Sequence, residues 1–452
     1  MPGPRDGALD NQGLILNLNL LPGGTAKGSW RLDERDPSWF VSHHHYVEAA
    51  QLAERGKFQA VFLADTPAWD DAYWHHPWRA LTPFIALTAI AGRTERIGLI
   101  GTASTSYNDP YNLARQVASL DLVSDGRAAW NYVVTAGDRP ARNFSAAQAD
   151  PKDERYARAE EFVDAVLTLW EAWEPDPIAG DKATGDYLRP GAIRPAAFAG
   201  ARLQVAGEPL VPPSRQGRPL LVQAGASERG IALAARTADA VYTHQTELDG
   251  GVTYRNLLRG RAADAGRDPD TMKVLPGFFV VLGDTEAAAQ RLHHELTEAT
   301  PDATRLSFFA RQLGIPVSEF HMDRPLPLHL IADAEISRSA ASELDRLLDA
   351  AARDNLTARE VLALRRNGTQ HVSVIGTPEQ AADTITEWYL AGAADGFNLH
   401  VASSPGVLAD FVDHVVPLLQ ARGVFHEDYE GTTLREHYGL APHRLGAGVL
   451  SR

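Results

Sequence analysis

Residues 97–134 decide the fold class, and they read IGLIGTASTSYNDPYNLARQVASLDLVSDGRAAWNYVV. The stretch opens with an apolar run at 97–104 that ends in small hydroxyl residues. A helical pattern at 111–123, an Asp125-Gly126 turn and a second apolar run at 128–134 follow. Two short buried strands joined by a helix form the β-α-β unit of a parallel sheet. The stretch therefore predicts an α/β protein.

The same alternation extends along the chain in both directions. We predict eight strands, at residues 14–21, 60–65, 97–104, 128–134, 220–225, 240–243, 273–282 and 397–402. Helical patterns separate them, among them 46–56, 81–91, 154–173, 228–237, 254–265 and 378–391. Eight alternating units predict a (β/α)8 TIM barrel. A doubly wound parallel sheet is the competing fold, because it shows the same alternation.

Two stretches are longer than a plain barrel needs. Residues 174–219 are rich in Pro and Gly, and residues 283–395 contain several helical patterns, including one at 333–353. We interpret both as insertions in a single barrel domain that covers residues 1–452. The longer insertion is our candidate for a lid, since closing segments shield many active sites from water.

Composition excludes several classes of protein. The chain of 452 residues has 44% hydrophobic and 22% charged residues, a net charge of -15 and no Cys. Disulfides, thiolate metal sites, iron–sulfur clusters and cysteine nucleophiles are thereby excluded. The acidic balance argues against nucleic acid or an anionic membrane as a partner. Residues 1–11 lack a signal-peptide core, and no run approaches ~18 apolar residues. A cytoplasmic location is the expectation.

Polar residues at the predicted strand ends are the first candidates for chemistry, because barrel active sites form there. Asp65 ends the second strand, and Thr102 opens a run of small residues, 102–106, at the end of the third. Small side chains would let a flat ring lie against the strands while hydroxyl groups donate hydrogen bonds. Alternatively, the hydroxyls satisfy nearby backbone groups and Asp65 caps the next turn.

Ser227 lies where the fifth strand passes into a helix, in the sequence GASERG at 225–230. The free N–H groups of a helix start attract a phosphate, and the Ser227 hydroxyl could bind the same anion. A plain N-cap is the alternative role of Ser227.

Histidines and tryptophans cluster at two further places. The run of histidines at 43–45 cannot chelate one metal ion, since adjacent helical residues point in different directions, and we expect a solvated turn there. Trp69, Trp74 and Trp78 surround His75 and His76 after the second strand. They either pack ordinarily or line a substrate pocket. We predict no metal site, and the residues alone favour a barrel that binds a planar ligand with a phosphate.

Several ordered motifs resemble one protein family. They are GSWR at 28–31, AERGKF at 53–58, FLAD at 62–65, TERIGL at 94–99, PYNLAR at 110–115, DGR at 125–127, WN at 130–131, RYARAEEF at 155–162, VQAGAS at 222–227, AADGFN at 393–398 and YEGTTLR at 429–435. Together they resemble the flavin-dependent monooxygenases of the nitrilotriacetate and dibenzothiophene-sulfone monooxygenase type, within the bacterial luciferase-like superfamily. The resemblance runs from about residue 14 to residue 440.

The resemblance implies a two-component monooxygenase. Reduced FMN would be a diffusible co-substrate, a separate NAD(P)H:flavin reductase would supply it, and O2 would react with it. The expected outcome is oxygenation or cleavage of a C–S, C–N or aromatic bond in a small organic substrate. A homodimer or homotetramer is expected.

Site residues carry over by motif position. Asp65 and Thr102 would lie beside the isoalloxazine ring, and Tyr156 and Ser227 would bind the ribityl-phosphate end. Ala226 is a further expected cofactor-binding residue. Asn108 and Asn131, our candidate catalytic residues, would contact the substrate together with Trp130.

Lys152 departs from the family pattern. Many relatives have histidine at this position, four residues before the tyrosine. A lysine could still face the flavin, but it cannot relay protons near neutral pH.

Two other functions share these motifs. One is an oxidoreductase of the same superfamily that transfers hydride with the deazaflavin F420. The other is a flavin-binding protein without catalytic activity, which the Lys152 substitution leaves open.

Overall fold

Eight parallel strands close into a barrel. The computed structural model describes residues 13–225, 227–331, 341–364, 371–443 and 445. Its strands are β1 (Ile15–Asn19), β2 (Ala60–Leu63), β3 (Gly98–Ser104), β4 (Ala128–Val133), β5 (Ala196–Ala199), β6 (Gln204–Gly207), β7 (Leu220–Ala224), β8 (Ala240–Thr243), β9 (Lys273–Leu282), β10 (Val372–Gly376) and β11 (Gly396–Val401). The ring runs β1-β2-β3-β4-β7-β8-β9-β11 and closes because β11 pairs with β1. The predicted TIM barrel is confirmed, and the doubly wound alternative is wrong.

Helices surround this barrel and fill the long connections. They are α1 (His43–Arg55), α2 (Pro83–Ala91), α3 (Pro110–Val123), α4 (Asp138–Asn143), α5 (Lys152–Trp170), α6 (Glu228–Thr237), α7 (Leu248–Asp264), α8 (Glu286–Glu298), α9 (Asp302–Leu313), α10 (Leu328–Ile331), α11 (Ala341–Asp354), α12 (Ala358–Leu364), α13 (Pro378–Leu390), α14 (Gly406–Asp410), α15 (Val416–Ala421) and α16 (Leu434–His437). Within the described part of the chain, no helix is long and apolar enough to cross a bilayer.

Side-chain caps fix where several helices begin. Asp109 accepts a hydrogen bond from the Asn112 amide (2.9 Å) just before α3. Ser227 caps α6 in the same way, and Thr285 caps α8 through the Ala288 amide (3.2 Å). Each cap satisfies an otherwise unpaired amide of the first helical turn, which stabilises the helix by about 1 kcal/mol.

The barrel interior has an apolar floor and a polar middle. Ile15, Ile100 and Leu220 are among the inward residues of the floor, and the C-terminal segment closes it with Leu434 and Tyr438. Above them the Asn17 amide group donates to Asn398 (3.1 Å), and the Tyr438 hydroxyl donates to Asn17 (3.0 Å). Side chains farther along the strands therefore face the open C-terminal mouth.

β9 forms hydrogen bonds with two different strands along one of its edges. Its first residues, from Lys273, pair with β8, and its last residues, from Phe278, pair with β10. β11 covers the opposite edge. β10, which the sequence pattern did not predict, therefore continues the barrel wall above β8 at the mouth.

The two stretches that we interpret as insertions contain all three strands outside the ring and several helices. Residues 174–219 contain the antiparallel hairpin of β5 and β6. Residues 283–395 contain α8 to α13 and β10. Leu306, Phe309, Leu347 and Val361 belong to an apolar cluster of this second stretch. The single-domain division and the lid stay predictions; the helix predicted at 333–353 begins outside the described residues, and α11 covers the rest.

Candidate active site

Thr102 and Asn131 face each other across neighbouring strands inside the barrel. They stand in register between β3 and β4, and the Asn131 amide group donates to the Thr102 hydroxyl at 2.8 Å. Both side chains are buried. The Asn131 carbonyl oxygen is buried without a hydrogen-bond partner in the described structure. A buried acceptor of this kind fits an N–H or O–H donor of a bound ligand.

Asp65 and Asn108 border the same cavity as Thr102. The cavity has a volume of about 890 Å³ and is lined in part by Asp65, Thr102, Ser104 and Asn108. Asn108 donates to the Ser104 carbonyl oxygen at 2.8 Å, which fixes the loop after β3. Burial raises the pKa of Asp65 above its ordinary value. The structure therefore brings the two candidate catalytic residues and the two candidate ring contacts to one region.

Tyr156 and Ser227 meet at the start of α6. Their hydroxyl oxygens are 2.6 Å apart, and Ser227 also accepts from the Gly230 amide at 3.1 Å. One hydroxyl hydrogen serves the bond between the two oxygens, so the other is available to donate to an anion. A Cβ at Gly230 would lie only 3.0 Å from the Ser227 oxygen, so glycine leaves this space open.

Gln223 supplies a further unpaired group beside these hydroxyls. Its side-chain oxygen is buried and has no hydrogen-bond partner in the described structure. Hydroxyl donors that suit a phosphate therefore adjoin an acceptor that suits a ribityl hydroxyl or a ring N–H. The residues present fit a flavin mononucleotide. Ala226 lies outside the described residues.

Lys152 is the first residue of α5 and is exposed. Tyr156 follows one turn later, so the two residues share a helix face. A contact between Lys152 and the flavin stays a prediction.

Two expectations from the sequence are wrong. Trp130 is fully buried against Phe162 and Trp170, outside the barrel, so it cannot contact a substrate at the mouth. Asn131 points inward, and neighbouring strand residues point to opposite faces. His45 is not solvated: it is buried in α1, and its Nε2 lies 3.0 Å from the Leu21 carbonyl oxygen.

The barrel mouth also contains a histidine group that sequence reasoning missed. His244, His371 and His400 stack in series, with ring centroids 5.0 Å and 4.2 Å apart. The Tyr242 hydroxyl lies 3.2 Å from Nε2 of His400, and the Asn19 amide nitrogen lies 3.0 Å from the same atom. Burial lowers the pKa of His400 to about 3 and that of His371 well below its ordinary value. Burial also lowers the pKa of His244, so the fold favours the neutral form of all three imidazoles.

The sequence positions of two of these three histidines could have indicated that they lie at the barrel mouth. His400 lies at the end of a predicted strand and His244 directly after another, where polar residues deserve scrutiny. His371 gave no such signal, because only the docking of β10 brings it to the mouth. In the described ranges, no three or more His, Cys, Asp or Glu residues are placed to bind a metal ion.

The loop after β2 forms an aromatic wall. Trp69 contacts Trp74 and Trp78 edge to face, with centroids 5.5 Å and 6.0 Å apart. His76 stacks on Phe308 of α9 at 6.2 Å. A loop from the barrel and a helix of the second insertion thus border the mouth together.

These features define an α/β barrel with paired hydroxyl groups at a helix start and a polar cavity at its strand ends, an arrangement that suits an anion and a planar group. A family model described as luciferase-like monooxygenase matches residues 25–395. N-acetyl-S-(2-succino)cysteine monooxygenase of Bacillus subtilis (strain 168) is 39% identical over 94% of this chain and 96% of its own length. Nitrilotriacetate monooxygenase component A of Aminobacter aminovorans is 38% identical over 95% of this chain and 96% of its own length.

A solved structure of a flavin-binding protein also matches this chain over most of its length. A riboflavin lyase with modified FMN and riboflavin matches with a TM-score of 0.80 and 30% identity, covering 94% of this chain and 96% of that one. The chain belongs to the luciferase-like monooxygenase family, and it is a flavin-dependent monooxygenase. The resemblance, the enzyme class and the general function predicted from the motifs are confirmed.

Proposed function

We propose that this chain is the oxygenase component of a two-component system. It takes reduced FMN from a separate NAD(P)H:flavin reductase and uses O2 to oxygenate or cleave a C–S, C–N or aromatic bond of a small organic substrate. The observation that carries the proposal is the pairing of Tyr156 with Ser227 at the start of α6, with unpaired acceptors of Gln223 and Asn131 nearby.

Each of these groups has a defined task in the proposal. Ser227 and Tyr156 hold the phosphate, and the dipole of α6 favours its negative charge. Gln223 and Asn131 accept hydrogen bonds from the ribityl or ring donors, while Thr102 orients Asn131. Reduced FMN supplies the two electrons that activate O2, and the chain orients it and excludes water. The aromatic wall provides part of that shielding.

Two observations support a separate reductase. The sequence lacks the Gly-rich fingerprint that binds a nicotinamide dinucleotide. The relative from Aminobacter aminovorans is called component A, which implies a second component in that system. The homodimer or homotetramer and the cytoplasmic location stay predictions, the former testable by light scattering.

Oxygen transfer tests the function. The full-length protein receives reduced FMN under 18O2 together with a panel of thioethers, sulfones and aminocarboxylates. We expect substrate-dependent O2 consumption and one 18O atom in the product. Turnover with reduced F420 but not with reduced FMN would identify a hydride-transfer enzyme instead. FMN binding with no oxygenated product across the panel would favour the non-catalytic flavin-binding protein.

A further inference from the structure

Lys27 and Arg79 are two cations at the barrel mouth without an anionic partner. Lys27 follows β1, and its loop is held to the barrel rim by hydrogen bonds from the Thr25 and Ala26 amides to the backbone of residues 401 and 402 (2.9 and 3.0 Å). Arg79 follows the aromatic wall after β2, and its Nε is buried without a hydrogen-bond partner. Throughout the described ranges, neither side chain forms a hydrogen bond or an ion pair.

Lys27 borders a cavity beside the barrel mouth. It lines a cavity of about 700 Å³ between the loop after β1 and helices α8 and α9. Its Nζ lies 5.8 Å from the centre of the Phe308 ring, the same ring on which His76 stacks. The cavity therefore adjoins the aromatic wall.

The charges around Lys27 and Arg79 have both signs. Arg311 and Asp70 interact with Lys27, Glu298 lines the same cavity as Lys27, and Asp65 interacts with Arg79, which lies outside the residues that line the cavity. Arg311 also packs on the Phe308 ring, with its guanidinium carbon 4.7 Å from the ring centre. The same guanidinium group forms an ion pair with Asp70. Asp70 also accepts from the Ala72 amide at 2.9 Å, so its carboxylate is already engaged. Burial, Arg79 and Arg311 together lower the pKa of Lys27 to about 7, and Asp70 opposes them only in part.

Two neighbouring cations without a bound anion reduce the stability of the folded protein. A partly buried cation loses hydration, and a second cation nearby adds repulsion. Proteins ordinarily pair such groups with a carboxylate of their own, as Arg255 is paired with Asp395 here at 2.7 Å. An anion that enters the cavity would supply the missing charge.

Resting on the proposed function, we propose that Lys27 and Arg79 form a subsite for a carboxylate group of the organic substrate. The guanidinium offers a planar fork for two carboxylate oxygens, and the ammonium adds a point charge. The substrate class is thereby a small organic acid that carries the oxidised C–S or C–N bond.

The phosphate of the flavin is the other possible source of an anion, and topology argues against it. Lys27 follows β1, whereas Ser227 follows β7. Around the ring, β2, β3 and β4 separate these strands on one side and β8, β9 and β11 on the other. The two anion sites therefore lie on opposite sides of the mouth, so one molecule of flavin phosphate cannot serve both while Ser227 holds it.

Calorimetry on the full-length protein tests the subsite. The probes are succinate, glutarate, citrate and nitrilotriacetate, each compared with its neutral amide. We expect at least one carboxylate to bind roughly tenfold more tightly than its amide, and Lys27→Met or Arg79→Met to remove roughly tenfold or more of that affinity. Exposed Lys182→Met and Arg93→Met are the matched controls and should leave the affinity within about twofold.

FMN titration of the same variants separates the possible failures. Unchanged FMN affinity in the Lys27 and Arg79 variants, with weakened carboxylate binding, supports the subsite. If FMN affinity falls and carboxylate affinity does not, the two cations belong to the flavin site and the proposal is wrong. Carboxylates that bind no better than amides to a wild-type protein that binds FMN overturn the subsite alone. Failure of the wild-type protein to bind FMN would instead overturn the proposed function.

Discussion

Ser227 has two separable tasks at the residue scale. Its oxygen caps α6 and also contacts Tyr156, so the substitution Ser227→Ala removes a helix cap together with a hydroxyl of the proposed phosphate site. A hydrogen bond to a charged group contributes about 1.5–3 kcal/mol. We therefore expect a roughly tenfold to hundredfold loss of FMN affinity, measured by quenching of flavin fluorescence.

Thr285→Ala is the matched control for that prediction. Thr285 caps α8 as Ser227 caps α6, so both variants should lose about 1 kcal/mol of stability in chemical denaturation. Only Ser227→Ala should weaken FMN binding. Equal FMN affinity in the two variants would mean that Ser227 is a cap and nothing more.

Lys27 makes the carboxylate subsite sensitive to pH. Burial, Arg79 and Arg311 lower its pKa to about 7, Asp70 raises it, and His76 and His400 lie close enough to interact. An anion binds the charged ammonium, so carboxylate affinity should fall as pH rises from about 6 to 8. Calorimetry across that range measures it.

Removal of Arg79 should shift this profile. Arg79→Met removes a repulsive neighbour, so the pKa of Lys27 should rise and the remaining binding should decline at a higher pH. A pH profile that is flat between pH 6 and 8 in the wild-type protein would show that Lys27 does not bind the carboxylate.

At the scale of elements, the contact between β9 and the segment before β10 positions the histidine group. Gly277 of β9 leaves space for the His371 ring, and a Cβ there would overlap Nδ1 of that ring. Gly277→Ala should therefore displace the His371 ring from His400. The ring-proton resonances of His371 and His400 in NMR spectra measure the displacement.

Gly260 offers the control for this element. It lies in α7, where an added Cβ meets nothing within 4 Å. Gly260→Ala should stabilise the protein by up to about 1 kcal/mol and leave both histidine resonances unchanged. If Gly277→Ala also leaves them unchanged, the close contact between β9 and His371 does not position the histidine group.

At the scale of the whole molecule, a buried charge cluster ties the C-terminal segment to the barrel. Asp239 lies 3.5 Å from Arg218 and 3.4 Å from Arg435, and it accepts from the Leu221 amide at 2.9 Å. Burial alone would raise the pKa of Asp239, but the surrounding arginines hold it well below its ordinary value.

Asp239→Asn should therefore destabilise the fold. The loss of this carboxylate leaves buried guanidinium groups without compensation, a cost of about 3–5 kcal/mol in chemical denaturation at pH 7. The exposed pair of Asp176 and Arg189 is the control, because Asp176→Asn should cost less than about 1 kcal/mol.

The contribution of Asp239 to the free energy of unfolding should depend on pH. The folded pKa of Asp239 lies below the unfolded value of about 3.9, so its contribution is present above pH 4 and is lost as pH falls further. The wild-type protein should lose more stability than Asp239→Asn below pH 4. Parallel acid-unfolding curves for the two proteins would contradict this role of Asp239.

The sequence alone was sufficient to predict the barrel strands and several residues of the candidate site. The apolar runs alone place all eight barrel strands within two residues of their observed ends, because short buried runs between amphipathic helices have few other solutions. Family motifs similarly identified Tyr156, Ser227, Thr102 and Asn131, which the structure brings together in pairs.

Other features depended on the tertiary structure. Barrel strands are buried on both faces, so their sequence lacks the polar alternation that would have shown Asn131 pointing inward and Trp130 outward. β10, which sets His371 against His400, and the approach of Phe308 to Lys27 join residues far apart in the chain. The sequence by itself determined the barrel and the chemistry of its strand ends. Only long-range packing decided which insertion residues border the mouth, since such contacts leave no local pattern.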